Sequence, residues 1–325
     1  MTVRELAKLA KVSPSTVSKA FSGAKDVGAA TREKIFRIAK ENGCFTKFSK
    51  DKFPKKVYGI ICPEMHGENY VNYVTELQKI ITENGGISVI SSDEFESSTQ
   101  EELIDYYISY IKVDGLFIVH QRQPLKRGYD TPVVAILTAF DTMHDAINLD
   151  IYSALKDAVL QLHKLGHEKI AFIGENLTKG RKKAFCNAAK LSYDDELVFT
   201  SQYRFQKAGE DGIRQLLKSG TKCTAFVCAY DEIAVGAIQE LKKQGYTVPD
   251  DFSVIGADNT TLAQYSQTPL STIGGNTEEI CRLAWELMER KEENQYYHSK
   301  KQIMFKSELI LRETVAPPKN KNSLA

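Results

Sequence analysis

Two helix starts fall eleven residues apart at the beginning of the chain, and few folds accommodate that spacing. Thr2-Val3-Arg4-Glu5 has the form of a capping box, in which the Thr hydroxyl and the Glu carboxylate satisfy each other's backbone N–H groups. Leu6, Leu9 and Ala10 then line one face of a short helix. Lys11-Val12-Ser13 breaks the pattern, and Ser13-Pro14 restarts it with an N-cap hydroxyl and a proline at the first helical position. The second helix buries Val17, Ala20 and Phe21 and ends near Ser22-Gly23. A third begins between Gly28 and Thr31, buries Ile35, Ile38 and Ala39, and stops at Asn42-Gly43. Two short helices across a tight turn, closed by a third, describe an all-α helix-turn-helix head.

Charge sharpens that reading. Residues 1–56 hold 14 Lys and Arg against 5 Asp and Glu, a net of +9 hidden inside a whole-chain charge of +1; the rest of the chain is therefore at −8. A basic head on an acidic body points to a polyanionic partner. The outward residues of the second helix, Ser15, Thr16, Ser18 and Lys19, are short hydrogen-bonding groups with one long cation. Such a face fits a major groove and reaches phosphates and base edges.

Val3-Arg4-Glu5-Leu6-Ala7, Val12-Ser13-Pro14-Ser15-Thr16-Val17-Ser18-Lys19 and Thr31-Arg32-Glu33-Lys34-Ile35 together resemble the head of the LacI/GalR family of bacterial transcriptional repressors. The resemblance implies that Pro14, Ser15 and Lys19 choose bases, while Ser13, Thr16 and Ser18 position the helix on phosphates. It also brings departures. Lys11 stands where the family has glycine, so its backbone is expected to tolerate positive φ. Gly28 replaces a serine N-cap. Residues 44–56 lack the family's Tyr-x-Pro-Asn-x-x-Ala-x-x-Leu hinge, and Pro54 ends any helix by about Phe53. They read as a basic linker touching the DNA backbone, with Phe48 or Phe53 as the alternative wedge for a minor groove.

From Val57 onward, short continuous apolar runs alternate with helical stretches. Strands are expected at 57–62, 87–91, 115–119, 133–137, 169–173, 224–228 and 252–255, and helices at 72–84, 152–165, 232–244 and 278–291. Strands covered on both faces read this way, so the body is expected to be parallel α/β in two lobes with its ligand between them. The family likeness continues through Leu165–Gly174, Ala229–Ala237, Val254–Asn259, Pro269–Ile273 and Glu308–Glu313. It implies a periplasmic-binding-protein-like body of two Rossmann-like lobes joined by three crossovers, dimerising mainly through the first lobe.

The same likeness implies an effector site. Arg181 falls where the family places an arginine on a sugar hydroxyl or carboxylate, and Asp258 where it places an aspartate that accepts from ligand hydroxyls. Such a pair suits a polyol; a surface ion pair is the plainer alternative. Thr138, Phe140 and Tyr230 complete the candidate set, while Asp231 is expected to cap its helix.

Other chemistry is not legible. His163 and His167 have zinc-helix spacing without the accompanying glutamate and read as structural. No cysteine pair has CxxC spacing, no phosphate-loop or nucleophile-elbow motif is present, and no apolar run approaches the roughly 18 residues of a membrane span. The expectation is a cytosolic regulator without cofactor or metal, bound as a homodimer to a pseudo-palindromic double-stranded DNA operator and controlled by a small carbohydrate. Its parts are a head (1–43), a hinge or linker (44–56), a two-lobed effector domain (57–316) and a disordered tail (317–325). The competing readings are a sugar- or nucleotide-processing α/β enzyme with an accessory basic domain, and a solute-binding protein.

Overall fold

The computed structural model describes residues 1–22, 24, 26–48, 55–125, 127–138, 142–220, 222–293 and 300–319. Phe53, the candidate wedge, and Phe140, a candidate effector residue, lie outside them. The chain divides into two units, Met1–Lys56 and Val57–Ala325.

In the head, α1 (Val3–Ala10), α2 (Pro14–Phe21) and α3 (Ala29–Glu41) enclose one core, and a short α4 (Phe45–Phe48) is added to it. Both halves of the capping box form: Thr2 N donates to Glu5 Oε2 at 2.7 Å and Glu5 N to Thr2 Oγ1 at 3.3 Å. Lys11 takes φ 56° at the end of α1, the left-handed conformation expected where glycine is missing. Leu6, Ala7 and Ala10 are the buried face of α1; Leu9, expected inside, is half exposed because Ala7 occupies the core side of that turn.

Residues 44–48 do not leave the head as an open linker. Cys44 is buried, and Phe45 and Phe48 pack on Phe21 at ring-centroid distances of 5.5 and 5.8 Å. Phe45 also meets Phe36 edge-on at 5.1 Å. The apolar rings that suggested a wedge have thus found partners in the head's own core, so Phe48 is taken.

The body runs β1 (Val57–Cys62), α5 (Glu68–Glu83), β2 (Ile87–Ser92), α6 (Ser97–Asp105) with a π-helical turn (Tyr106–Ile111), β3 (Gly115–Val119), β4 (Val133–Ile136) and β5 (Asp145–Asp150). It continues with α7 (Ile151–Lys164), β6 (Ile170–Glu175), α8 (Lys179–Ala189), β7 (Val198–Ser201), α9 (Phe205–Ser219), β8 (Ala225–Cys228) and α10 (Asp231–Lys243). The last elements are β9 (Ser253–Ala257), α11 (Thr261–Tyr265), β10 (Ser271–Gly274), α12 (Thr277–Glu293), β11 (Gln302–Lys306) and β12 (Glu308–Ile310).

Two six-stranded sheets result, ordered β11-β5-β4-β3-β1-β2 and β12-β10-β9-β8-β6-β7. The two orders are the same path drawn twice. Among the described residues the strand pairings are parallel except that of β10 with β12. The chain passes between the lobes after β5, after β10 and between β11 and β12, which makes the three crossovers. Strands β3, β4, β8, β9 and β10 are buried along their whole length, as sheets covered by helices on both faces require.

His167 and His163 are structural. His167 Nδ1 meets Thr224 Oγ1 at 2.8 Å and its Nε2 meets the Ala316 carbonyl at 2.9 Å, while His163 Nδ1 meets the His167 carbonyl. The tail expected to be disordered from residue 317 is held further than that, because Lys319 Nζ pairs with Asp251 at 2.8 Å; residues 320–325 lie outside the described residues. Among the described residues no helix is long and apolar enough to cross a membrane, and no cluster of His, Cys, Asp and Glu could hold a metal ion.

Candidate functional site

On the head, Ser13 caps α2 by accepting from Thr16 N at 3.0 Å, and its hydroxyl also contacts Ser15 Oγ at 2.7 Å and Thr16 Oγ1 at 2.8 Å. Pro14, Ser15, Ser18 and Lys19 are exposed, while Val17, Ala20 and Phe21 face the core. The six described head candidates therefore share one short helix and its cap. Lys19 Nζ pairs with Asp26, an exposed carboxylate in the following loop. Asp26's carboxyl is held below its ordinary range by that hydrogen bond.

In the body, Thr138, Arg181, Tyr230 and Asp258 line one cavity of about 550 Å³ between the lobes. Arg181 on α8 meets Asp258, beyond β9, in a two-pronged pair of 2.5 and 3.1 Å and also donates to the Ala229 carbonyl. Burial works against the guanidinium charge, and the adjoining Asp258 carboxylate more than offsets it, so the Arg181 pKa is raised. The pair is not on the outer surface: Asp258's side chain is only 5% exposed. Thr138 N donates to Asn148 Oδ1. The Tyr230 hydroxyl accepts from Phe205 N at 3.0 Å and its ring sits edge-on to Phe205, which holds it in the wall.

Asp231 does not cap α10. It is fully buried at the first helical position, accepting from Thr260 N at 2.8 Å, Thr260 Oγ1 at 3.0 Å and Thr272 Oγ1 at 2.5 Å. It thereby ties the segments following β8 and β9 to β10.

Four cavity residues, Phe95, His120, Leu137 and Phe205, carried no sequence signal of their own. Phe95 (φ 62°), His120 (φ 60°), Leu137 (φ 61°), Phe205 (φ 56°) and the predicted Asp258 (φ 101°) all line the cavity, and all have left-handed backbones. They are half of the ten non-glycine residues with positive φ among the described residues. Each follows a strand: β2, β3, β4, β7 and β9 respectively. The sheets pin three of them, since His120 N donates to Ile136 O, Leu137 N to Ile147 O and Asp258 N to Ile273 O. A bulky residue held so costs on the order of 1–3 kcal/mol, and such strain collects at ligand sites. Burial and the nearby Arg181 push the His120 imidazole down to about 4, so it is neutral near pH 7. Its Nδ1 lies 3.3 Å from Arg122 Nη1, a group that only donates, which leaves the ring proton on Nε2.

The lobes also grip each other directly. Arg204, before α9, forms a two-pronged pair with Glu64, after β1, at 2.6 and 2.7 Å. Glu68 N donates to Glu232 Oε1 at 2.9 Å, and the Glu68 carboxylate accepts from Leu262 N. These partners lie 140 or more residues apart, which is why no sequence spacing announced them. A larger groove of about 850 Å³ beside the crossovers contains none of the predicted site residues.

A helix-turn-helix head joined in one chain to a two-lobed body, with an interlobe cavity that holds the Arg181–Asp258 pair, is the build of a DNA-binding transcriptional regulator. Residues 2–44 match the model for bacterial regulatory proteins of the lacI family, and residues 159–315 match that for a periplasmic binding protein-like domain. The head is thus of the lacI family of regulatory proteins, and the body is periplasmic-binding-protein-like. It is 28% identical over 332 residues to the ribose operon repressor of Haemophilus influenzae, covering 97% of this chain and 98% of that protein. It is 27% identical over 327 residues to the transcriptional repressor CytR of Escherichia coli, covering 96% and 95%. Among solved structures, the lac repressor dimer bound to operator and an anti-inducer superimposes with TM-score 0.68 at 19% identity, covering 97% and 99%. A cellobiose complex of the regulator CelR gives 0.64 at 22%, with the same coverage. A LacI-family regulator of Enterococcus faecium with bound ribose gives 0.68 at 19%, covering 81% and 100%. These relatives are transcriptional regulators, and the enzyme alternative gives way to them.

Proposed function

We propose that the protein is a cytosolic repressor that binds a pseudo-palindromic operator as a homodimer and is controlled by a sugar in the interlobe cavity. The head reads DNA through Ser13, Pro14, Ser15, Thr16, Ser18 and Lys19, and the effector contacts Arg181, Asp258, Thr138 and Tyr230. The head takes in residues up to 48, the linker runs to 56, and the body follows. The observation that carries the reading is that four left-handed residues following strands, Phe95, His120, Leu137 and Phe205, line the same interlobe cavity as the Arg181–Asp258 pair. Support for a sugar comes from the ribose and cellobiose complexes of the structural neighbours, and for a dimer from the lac repressor on its operator.

The mechanism is a population shift. The cavity sits where Glu64 meets Arg204 and Glu68 meets Glu232, so an effector entering it changes how firmly the lobes are joined. An effector that favours one lobe arrangement biases the DNA-competent state by its difference in affinity.

The test is selection of bound duplexes from a random DNA library, with and without added ribose or cellobiose. A recovered palindrome whose enrichment changes with one sugar supports the reading; salt-sensitive, sequence-blind binding overturns it. Lys19→Ala is expected to change the selected sequence, whereas Lys47→Ala weakens binding to all sequences alike.

A further inference from the structure

The charges around the cavity specify more than its size does. Five carboxylates line it among the described residues, Glu64, Asp150, Glu175, Glu232 and Asp258, against the two guanidiniums of Arg181 and Arg204. Both guanidiniums are already engaged. Arg181 is held in two prongs by Asp258 and donates to the Ala229 carbonyl. Arg204 is held in two prongs by Glu64, with Glu175 a further 3.8 Å from its Nε. Just behind the wall, Arg122 is paired with Asp93. The undescribed residues next to Thr138 in the chain, Ala139, Phe140 and Asp141, bring no cation.

We propose that the cavity selects an uncharged polyhydroxylated ligand, a free sugar or glycoside, and rejects its phosphorylated or carboxylated counterpart. The proposal rests on the reading of this cavity as the effector site. A phosphate entering it would meet an excess of carboxylates in a partly dry space, where like charges repel strongly. It would also have to break a two-pronged arginine pair to find a partner, leaving a buried carboxylate alone. Hydroxyls face neither obstacle: they donate to the outer lone pairs of paired carboxylates and accept from His120 Nε2–H without disturbing the ion pairs. His120 stays neutral, because burial and Arg181 hold its pKa down, and so supplies no charge for an anion. Burial also raises the Glu232 carboxyl, as expected where negative charge is already in excess.

The experiment titrates the full-length protein, by calorimetry and thermal shift, with matched pairs: ribose and ribose 5-phosphate, glucose and glucose 6-phosphate, cellobiose and its 6-phosphate. The expected result is binding of at least one uncharged member with its phosphate ester weaker by 100-fold or more. An ester that binds as well as its parent overturns the proposal and leaves the effector reading standing. Silence from every member removes the sugar effector reading and this proposal with it, while operator selection still reports on the head. Glu64→Gln then frees Arg204 and is expected to narrow the discrimination about tenfold. Should Glu64→Gln destabilise the body, Glu232→Gln removes one carboxylate without releasing an arginine and should narrow it by a smaller factor. Discrimination unchanged in a folded variant overturns the electrostatic basis.

Discussion

The polar pairs that shape the head's first two helices and those that shape the body's cavity are placed by opposite rules. In the head the partners are near in sequence and open to solvent: Thr2 with Glu5, Ser13 with Thr16, Lys19 with Asp26. In the body they are far apart in sequence and sheltered: Arg181 with Asp258, Glu64 with Arg204, Asp231 with Thr260 and Thr272. Exposed pairs are worth ~0–1 kcal/mol, so the head can release its groups to DNA at little expense. Breaking a buried pair costs on the order of 3–5 kcal/mol, so a ligand in the body must work with the pairs it finds.

The steepest contrast between the two units lies in their backbones. Helices α9 and α10 pack with almost nothing between them: a Cβ on Gly236 would lie 2.0 Å from the Gln206 carbonyl oxygen, and one on Gly209 2.0 Å from that of Ile233. Backbone cannot step aside as a side chain can, so Gly236→Ala is expected to lower body stability by ~4 kcal/mol or more. In the head, Gly28 has no atom within 4 Å of its would-be Cβ and makes no side-chain cap. Gly28→Ser should raise head stability by a few tenths of a kcal/mol. Thermal unfolding of both variants measures the contrast, and a Gly236→Ala protein melting with the parent would break it.

Acid separates the units through His120. Its ordinary pKa of 6.5 falls to about 4 in the folded body, chiefly by burial and then by Arg181. Below pH 6.5 the unfolded chain takes up this proton while the folded one does not until about pH 4, so stability drains away as pH falls through that window. Asp231, raised to about 7 by burial and by Asp258, works the other way: the folded form holds a proton that the unfolded form releases above about pH 4. Comparing His120→Gln with the parent isolates the first effect. The variant should gain ~3 kcal/mol relative to the parent between pH 6.5 and 4; parallel melting profiles would contradict the sheltered imidazole.

A smaller effect is expected where the head's core meets the segment after α3. Phe48 is half-buried against Phe21, and Phe21 in turn lies 4.9 Å from Phe36. Phe48→Ala should weaken the head by ~2 kcal/mol, less than a fully buried phenylalanine, and leave the body's melting unchanged. Hydrogen exchange at the α3 amides reads this directly. Unaltered protection would return residues 44–48 to the role of a free linker.

How much of this the sequence disclosed follows the same division. Helices α1, α2 and α3 were legible because caps and apolar spacing act within one or two turns: Ser13-Pro14 starts α2 whatever else the chain does. Helix α4 was not, because its residues read as linker. The central strands β1, β3, β4, β6, β8 and β9 were legible as continuous apolar runs. Strands β5, β7, β11 and β12 were not, because Asp145–Asp150 mixes Asp and Asn with its apolar residues and the edge strands are short or alternate. Arg181 and Asp258 stood out only through family likeness. Glu64, Arg204, His120 and Phe205 did not stand out at all, since left-handed backbones and ion pairs spanning 140 residues leave no local pattern. Phe48 was legible as an aromatic, but its neighbour Phe21 belongs to another helix, so its place in the core was not.

The finest test of the comparison is whether the head's exposed pairs are as loosely held as their setting implies. Lys19 is the one cation on α2, and in the free head its ammonium rests on Asp26. DNA approaching that face must draw Lys19 away from Asp26 and accept the carboxylate's proximity to its phosphates. Asp26→Asn should therefore leave head stability unmoved, tighten DNA binding severalfold at low salt, and steepen the salt dependence by up to about one released counterion. Neutralising any acid near DNA tightens binding to some degree, so the same substitution belongs in a Lys19→Met background as well. If Asp26 acts by holding Lys19, the gain shrinks there; an equal gain in both backgrounds would mean that Asp26 merely repels the backbone and that the Lys19 pair has no part in DNA binding.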